Sequence, residues 1–254
     1  MPILAGSWTT LFILGIGSLA MTLATANAVD QVEEDITIAR SLAIMLQAGR
    51  SVISRNQELI NNANIGDKGL TAEAVLSESH RIYQKNAGVD PRSLGTTSRH
   101  ARLLRLMTES IAEVMNNNQK TINAPGIAFK GLIPATFARL VTEEFGKRAI
   151  GEAEIKVTAP PDLVRNRKSR PDEWELRVIA ERFSLPTWPQ GKTYAEISHK
   201  KDRAAFRVAT PEYYEESCMR CHGGPKGEVD LTGYPKEGAR AGDLGGVISI
   251  TLFR

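Results

Sequence analysis

From Asp30 to Asn62 apolar residues recur at helical spacing: Ile36, Ala39, Leu42, Ala43 and Leu46, then Val52, Ile53, Leu59 and Ile60. The period slips once, near Gly49, in an otherwise continuous helical stripe. NANIGDKGL is rich in Asn and Gly and reads as a loop, after which Thr71 caps a helix running to about Lys85. NAGVDPRSLGTTS is loop again, and Ser98 opens a helix along RHARLLRLMTESIAEVMNNN. Beyond NAPGIAFKGLIP, Pro134 falls in the first turn of ATFARLVTEEFGKRA, where its missing N–H costs nothing.

The period then changes from 3.6 to two. EAEIKVTAP alternates as a strand, with Ile155 and Val157 on one side. RPDEWELRVIAERF reads as a short helix with Pro171 in its first turn, and KTYAEIS, AAFRVAT and LGGVISITLF as three more strands. Helices followed by strands predict an α+β fold in which a helical hairpin region packs on an antiparallel sheet. The reading places the helical region at residues 30–125 and the sheet-bearing region at 126–254, with 30–254 as one structural unit. One further helix, about Pro211 to His222, is expected between the last two strands.

Upstream of this pattern, Met1 to Val29 carries no charged side chain. Ala26-Asn27-Ala28 has the form of a signal-peptide cleavage site, but no basic residue precedes the apolar run. A cleaved signal peptide and a transmembrane anchor over residues 8–29 both remain open, and the missing basic segment favours the anchor. The first charges after it, in DQVEEDITIAR, are mostly acidic, which fits the non-cytoplasmic side. The chain beyond residue 29 is therefore expected on the periplasmic side of a bacterial inner membrane. Its net charge of +3 over 254 residues gives no case for nucleic-acid binding.

The two cysteines of the chain fall together, in EESCMRCHGG, and His222 follows the second directly. C-x-x-C-H is the attachment pattern of c-type haem: two thiols add across the vinyl groups and the adjacent imidazole ligates iron. Attachment of this kind takes place after export, in keeping with the apolar N-terminus. Other readings compete. A thioredoxin-like dithiol expects a helix after the motif, whereas Gly223, Gly224, Pro225 and Gly227 break one at once. A zinc site needs four N or S ligands, and a plain disulfide leaves His222 without a task. Haem c is the favoured cofactor, with Cys218 and Cys221 as thioethers and His222 as axial ligand.

For the other face of the iron the leading candidate is His100, one turn into an amphipathic helix. Met107, His80 and an open site are the alternatives. His199, in ISHKKDRA, reads as a solvated residue of a charged turn, and Met219 lies inside the spacer. Trp174 and Trp188 read as core or interface anchors. RNRKSR, from Arg165 to Arg170, reads as a solvated basic loop or as a partner for haem propionates.

Together, FKGLIPATFARLV, TAPPDLVRNRKSRPDEWE, PEYYEESCMRCHGGPKGE and DLGGVISITL resemble the haem-c PAS-like sensor domain of bacterial signalling proteins and standalone cyanobacterial proteins. The resemblance runs from about Arg50 to Phe253. It implies a PAS-like antiparallel sheet with one covalent haem c, sensing redox state or a small ligand. A standalone relative ligates the distal side with a third cysteine. With two cysteines in this chain, a neutral distal ligand or an open site is expected instead. The reading expects no enzyme but a sensor that reports through a membrane or periplasmic partner, or through a homodimer along the N-terminal helix. An electron-transfer cytochrome or haem subunit of a membrane complex is the alternative. A peroxidase is the second alternative, for which the sequence picks out no acid/base residue.

Overall fold

A computed structural model describes the backbone from Leu14 to Arg254 and the side chains from Val29 onward. The first helix, α1 (Leu14–Arg55), is unbroken and about 63 Å long at 1.5 Å per residue. The slip in its apolar period does not interrupt it. A Cβ at Gly49 would lie 3.1 Å from the Phe137 ring, so glycine there lets another helix cross α1 closely. The stretch 8–29, read as signal or anchor, begins outside the described residues; from Leu14 its backbone continues into α1 without a break. The Val29–Arg55 portion is apolar enough to cross a membrane by composition. Yet 61 % of its apolar window is buried in the fold, so this part of α1 is a core helix.

At Asn56 the chain leaves α1, the amide side chain donating to the Val52 carbonyl at 2.8 Å, and makes one further turn, α2 (Gln57–Ile60). Helix α3 (Ala72–Ala87) starts where Thr71 Oγ1 accepts from the Ala74 N–H and ends at the left-handed Gly88. Helix α4 (Arg99–Ile122) is capped in the same way by Ser98, and α5 (Pro134–Arg148) begins on its proline. The four long helices share one core: Leu42, Leu46 and Ile53 of α1 meet Tyr83, Met107, Ile111, Phe137 and Phe145. Each fully buried side chain of this size contributes roughly 1.5–3 kcal/mol.

The same core continues into a four-stranded antiparallel sheet. Its strands are β1 (Ala153–Thr158), β2 (Tyr194–Lys200), β3 (Arg203–Tyr213) and β4 (Leu244–Phe253). They lie in the order β1-β4-β3-β2. Phe206, Val208, Ile248, Ile250 and Leu252 face the helices. The opposite face is covered by α6 (Glu173–Val178) and a π-helical turn (Ile179–Phe183), which bury Trp174, Val178 and Phe183 against Ala209 and Val247. Trp174 is thus a core residue of this second layer.

Three local expectations are corrected. Pro171 is not in the first turn of α6: it precedes Asp172, the residue that caps the helix. His199 is not in a turn: it belongs to β2, opposite Ala204. The turn is the two-residue loop Lys201–Asp202, both with positive φ of 52° and 59°. Such hairpin loops are normally signalled by Gly or Asn, and neither is present. Nor does a helix begin at Pro211. β3 extends to Tyr213, held by pairing to β4 through Pro211↔Val247 and Tyr213↔Leu244. Pairing with β2 stops at Ala209, so Pro211 sits where β3 has one neighbour. The Cys–His motif follows on a 3-10 turn (Glu216–Cys218) and one helical turn, α7 (Met219–His222).

Candidate functional site

The motif turn is fixed at both ends by strands. β3 delivers Tyr213 and Tyr214, and β4 starts at Leu244 beside them. Tyr214 N–H donates to the Asp243 carbonyl at 2.9 Å and its own carbonyl accepts from Gly242 at 2.8 Å. Cys218 N–H closes the 3-10 turn onto Glu215. Gly223 then turns the chain away, its N–H on the Met219 carbonyl; a Cβ at Gly223 would lie 2.6 Å from that oxygen. Both sulfurs are unpaired thiols and both residues are half-buried. Burial pushes the Cys221 thiol up from its ordinary value, which keeps it protonated.

His222 is held from two sides. Its ring stacks on Tyr214, centroid to centroid 4.7 Å at 28°. Its Nδ1 lies 2.9 Å from Glu237 Oε2 and 3.2 Å from the Tyr214 hydroxyl. Burial raises the cost of charge on Glu237, yet hydrogen bonds from Arg165, the backbone and His222 hold it below the usual carboxylate range. An ionised carboxylate only accepts, so Nδ1 carries the proton and Nε2 presents its lone pair. Burial also holds the His222 imidazole below its ordinary value, so the ring is neutral and ready to ligate.

Behind this pair stands Arg165, engaged on every side. It makes a fork to Glu237 (Nε–Oε1 2.8 Å, Nη2–Oε2 3.0 Å), reaches Asp230 at 2.6 Å, and donates to the Cys221 carbonyl at 2.9 Å. Arg165 is therefore neither a solvated residue nor one free for propionates, as its place in RNRKSR suggested. Lys168 of the same stretch pairs with Glu143 at 2.9 Å. Glu237, Tyr214 and Asp230 were not picked out from sequence. They are ordinary residues at separations of 15, 8 and 65 positions from their partners, and no local pattern reports such pairings.

The strand that leads into the turn also touches the N-terminal helix. Glu212, at the end of β3, accepts from Arg50 at 2.5 Å and from Gln47 at 3.4 Å, both on α1. Arg220, inside the motif, lies 3.6 Å from Glu58 on α2. Arg50 Nε is buried with no partner.

Of the four histidines the structure brings only His222 to Cys218 and Cys221. Arg99, next to His100, donates to the Phe253 carbonyl at 3.1 Å, at one end of β4. The motif packs at the other, where Tyr214 meets Gly245. A strand of that span is roughly 26 Å long, so His100 and the motif are not brought together. His100 Nε2 is buried without a partner, near Glu34 on α1. Met107 is wholly buried in the helical core. His80 stands beside Asp90 and Arg92, and His199 is exposed on β2.

Two free thiols and a neutral, oriented imidazole in one turn fit the donor set of a c-type haem. Among the described residues no group of three or more His, Cys, Asp or Glu is placed to hold a metal ion. No curated protein and no solved structure matches this chain. Its sequence from residue 30 to residue 252 matches the Tll0287-like family, the haem-c PAS-like family that its motifs resemble, and the chain belongs to that family.

Proposed function

We propose that this protein carries one covalent haem c and senses redox state or a small ligand, reporting to a partner at the membrane. The observation that carries the proposal is the Cys218–His222 turn, with two unpaired thiols beside a neutral imidazole whose Nδ1 is fixed by Glu237. Cys218 and Cys221 would hold the porphyrin by thioethers and His222 would ligate iron through Nε2. When bound, the haem supplies the redox and ligand-binding chemistry. The sheet order, with the first strand beside the last, supports a PAS-like architecture for the domain.

The contact of Glu212 with Arg50 and Gln47 favours sensing over simple electron carriage. It ties the motif strand to the helix that leads out of the domain. The electron-transfer alternative instead expects a six-coordinate iron.

The direct test is the pyridine haemochrome spectrum after acid-acetone extraction. The wild-type protein is expected to keep its haem, and the Cys218→Ala, Cys221→Ala variant to lose it. Retention by the double variant sinks the assignment. Carbon monoxide then separates the roles: rapid binding to the ferrous protein supports sensing, and a low-spin iron that excludes it supports electron transfer.

A further inference from the structure

We propose that Glu237, clamped by Arg165, is the positioning residue that fixes His222 with Nε2 toward the iron and lends the imidazole anionic character. The inference rests on the haem-c reading above and goes beyond it, to a residue 15 positions downstream of the motif.

The argument is geometric. A neutral imidazole has two tautomers, and only the one protonated at Nδ1 leaves Nε2 free to ligate. Glu237 Oε2, 2.9 Å from Nδ1, selects that tautomer. A carboxylate on a flexible side chain would do so poorly, but this one is held in a two-bond fork by Arg165. The same guanidinium donates to the Cys221 carbonyl, one residue before His222. One side chain therefore sets the carboxylate and the ligand backbone in register. Ala239 N–H donates to the His222 carbonyl at 2.8 Å, closing the loop that carries Glu237 back onto the motif. The Tyr214 stack leaves the ring little freedom to turn.

The charge is also fixed. Arg165 faces two carboxylates, Glu237 and Asp230, leaving a net negative charge behind the imidazole. A carboxylate accepting from Nδ1–H raises the basicity of Nε2, which stabilises ferric over ferrous iron.

The test uses the haem-loaded protein with Glu237→Gln, Glu237→Asp and Arg165→Gln. Gln keeps the shape and an acceptor but removes the charge. Glu237→Gln is expected to retain haem while the ferrous-to-ferric ratio at a given potential rises about tenfold, a positive shift of ~59 mV for one electron. Glu237→Asp is expected to restore part of that shift. Arg165→Gln removes the fork and should mix the His222 tautomers in the haem-free protein, with little further effect in the Glu237→Gln background, as expected for residues acting in one chain. An unchanged potential in Glu237→Gln with haem attached overturns the proposal.

A second readout needs no haem. In the haem-free protein, side-chain nitrogen NMR of His222 should show the Nδ1-protonated tautomer, and Glu237→Gln should mix the two. A wild-type ring protonated at Nε2 likewise overturns the proposal. Failure of the wild-type protein to hold haem would instead sink the functional reading and leave this measurement intact.

Discussion

Single residues near the motif carry effects larger than their size suggests. Asp230 accepts from Thr232 N–H, Thr232 hydroxyl and Arg165, and its side chain is wholly buried. Burial works against its charge, but these hydrogen bonds prevail and hold it at about 2, down from 3.8. Because the folded value is depressed, its stabilisation is complete above the unfolded value and is lost as pH falls from about 4 toward 2. The shift corresponds to about 2 kcal/mol. Asp230→Asn is expected to cost that amount at neutral pH, with the two proteins converging near pH 2. Urea midpoints across that range check it, and a pH-independent difference would refute it. Gly245 makes a second case. A Cβ there would lie 2.7 Å from the Tyr214 ring, so Gly245→Ala should cost about 1–3 kcal/mol by overpacking. In a Tyr214→Ala background the same change should cost far less. Equal costs in both backgrounds would exclude the clash as the cause.

At the level of elements, much was legible because the signals are local. The Thr71 and Ser98 caps, the Pro134 start and the strands β1 and β4 stand where the local pattern placed them, and β2 and β3 differ only at their ends. What escaped was decided by distant contacts. Pairing with β4 claimed Pro211–Tyr213 for a strand, and the Lys201–Asp202 hairpin lacks its usual glycine. At the site, Cys218, Cys221 and His222 were legible as a contiguous motif, whereas Glu237 and Arg165 reach it only through folding. Helix α6 shows the same division. Its capping box, Asp172 with Glu175, is a local pattern. However, Asp172 also pairs with the buried Arg207 at 2.6 Å, whose guanidinium lies 4.2 Å from the Trp174 ring. Asp172→Ala removes the cap, worth about 1 kcal/mol, and leaves the buried Arg207 with only Glu175 at 3.6 Å, a loss of about 1.5–3 kcal/mol for the charged hydrogen bond. Asp172→Asn keeps the cap and should recover only the smaller part. Wild-type stability in Asp172→Asn, by urea denaturation, would show that the ion pair contributes nothing.

For the molecule as a whole, α1 is the element that joins everything. Its described side chains build the helical core. Asp35, fully buried, is gripped by Arg99 at 3.0 Å and Arg254 at 2.7 Å, locking α1 to α4 and to the residue after β4. Arg50 and Gln47 hold the motif strand through Glu212. Helix α1 is thus held at Asp35 and at Arg50, and its backbone runs without a break from Leu14 through the cleavage-like Ala26-Asn27-Ala28. Removal of residues 1–28 would sever the helix from its apolar extension. Retention would place the fold directly on a membrane-length apolar segment. Because the cleavage-like site lies inside an unbroken helix, retention is the expected outcome: the protein should sediment with membranes and show the intact mass of an uncleaved chain. A species beginning at Val29 would end the anchor reading. If the anchor holds, Arg50→Met should leave haem attachment and membrane association unchanged. It should also weaken any redox-dependent change in partner contact, read by cross-linking in oxidised and reduced membranes. Cross-linking that changes with oxidation state as fully in Arg50→Met as in wild type would show that the signal does not pass through α1.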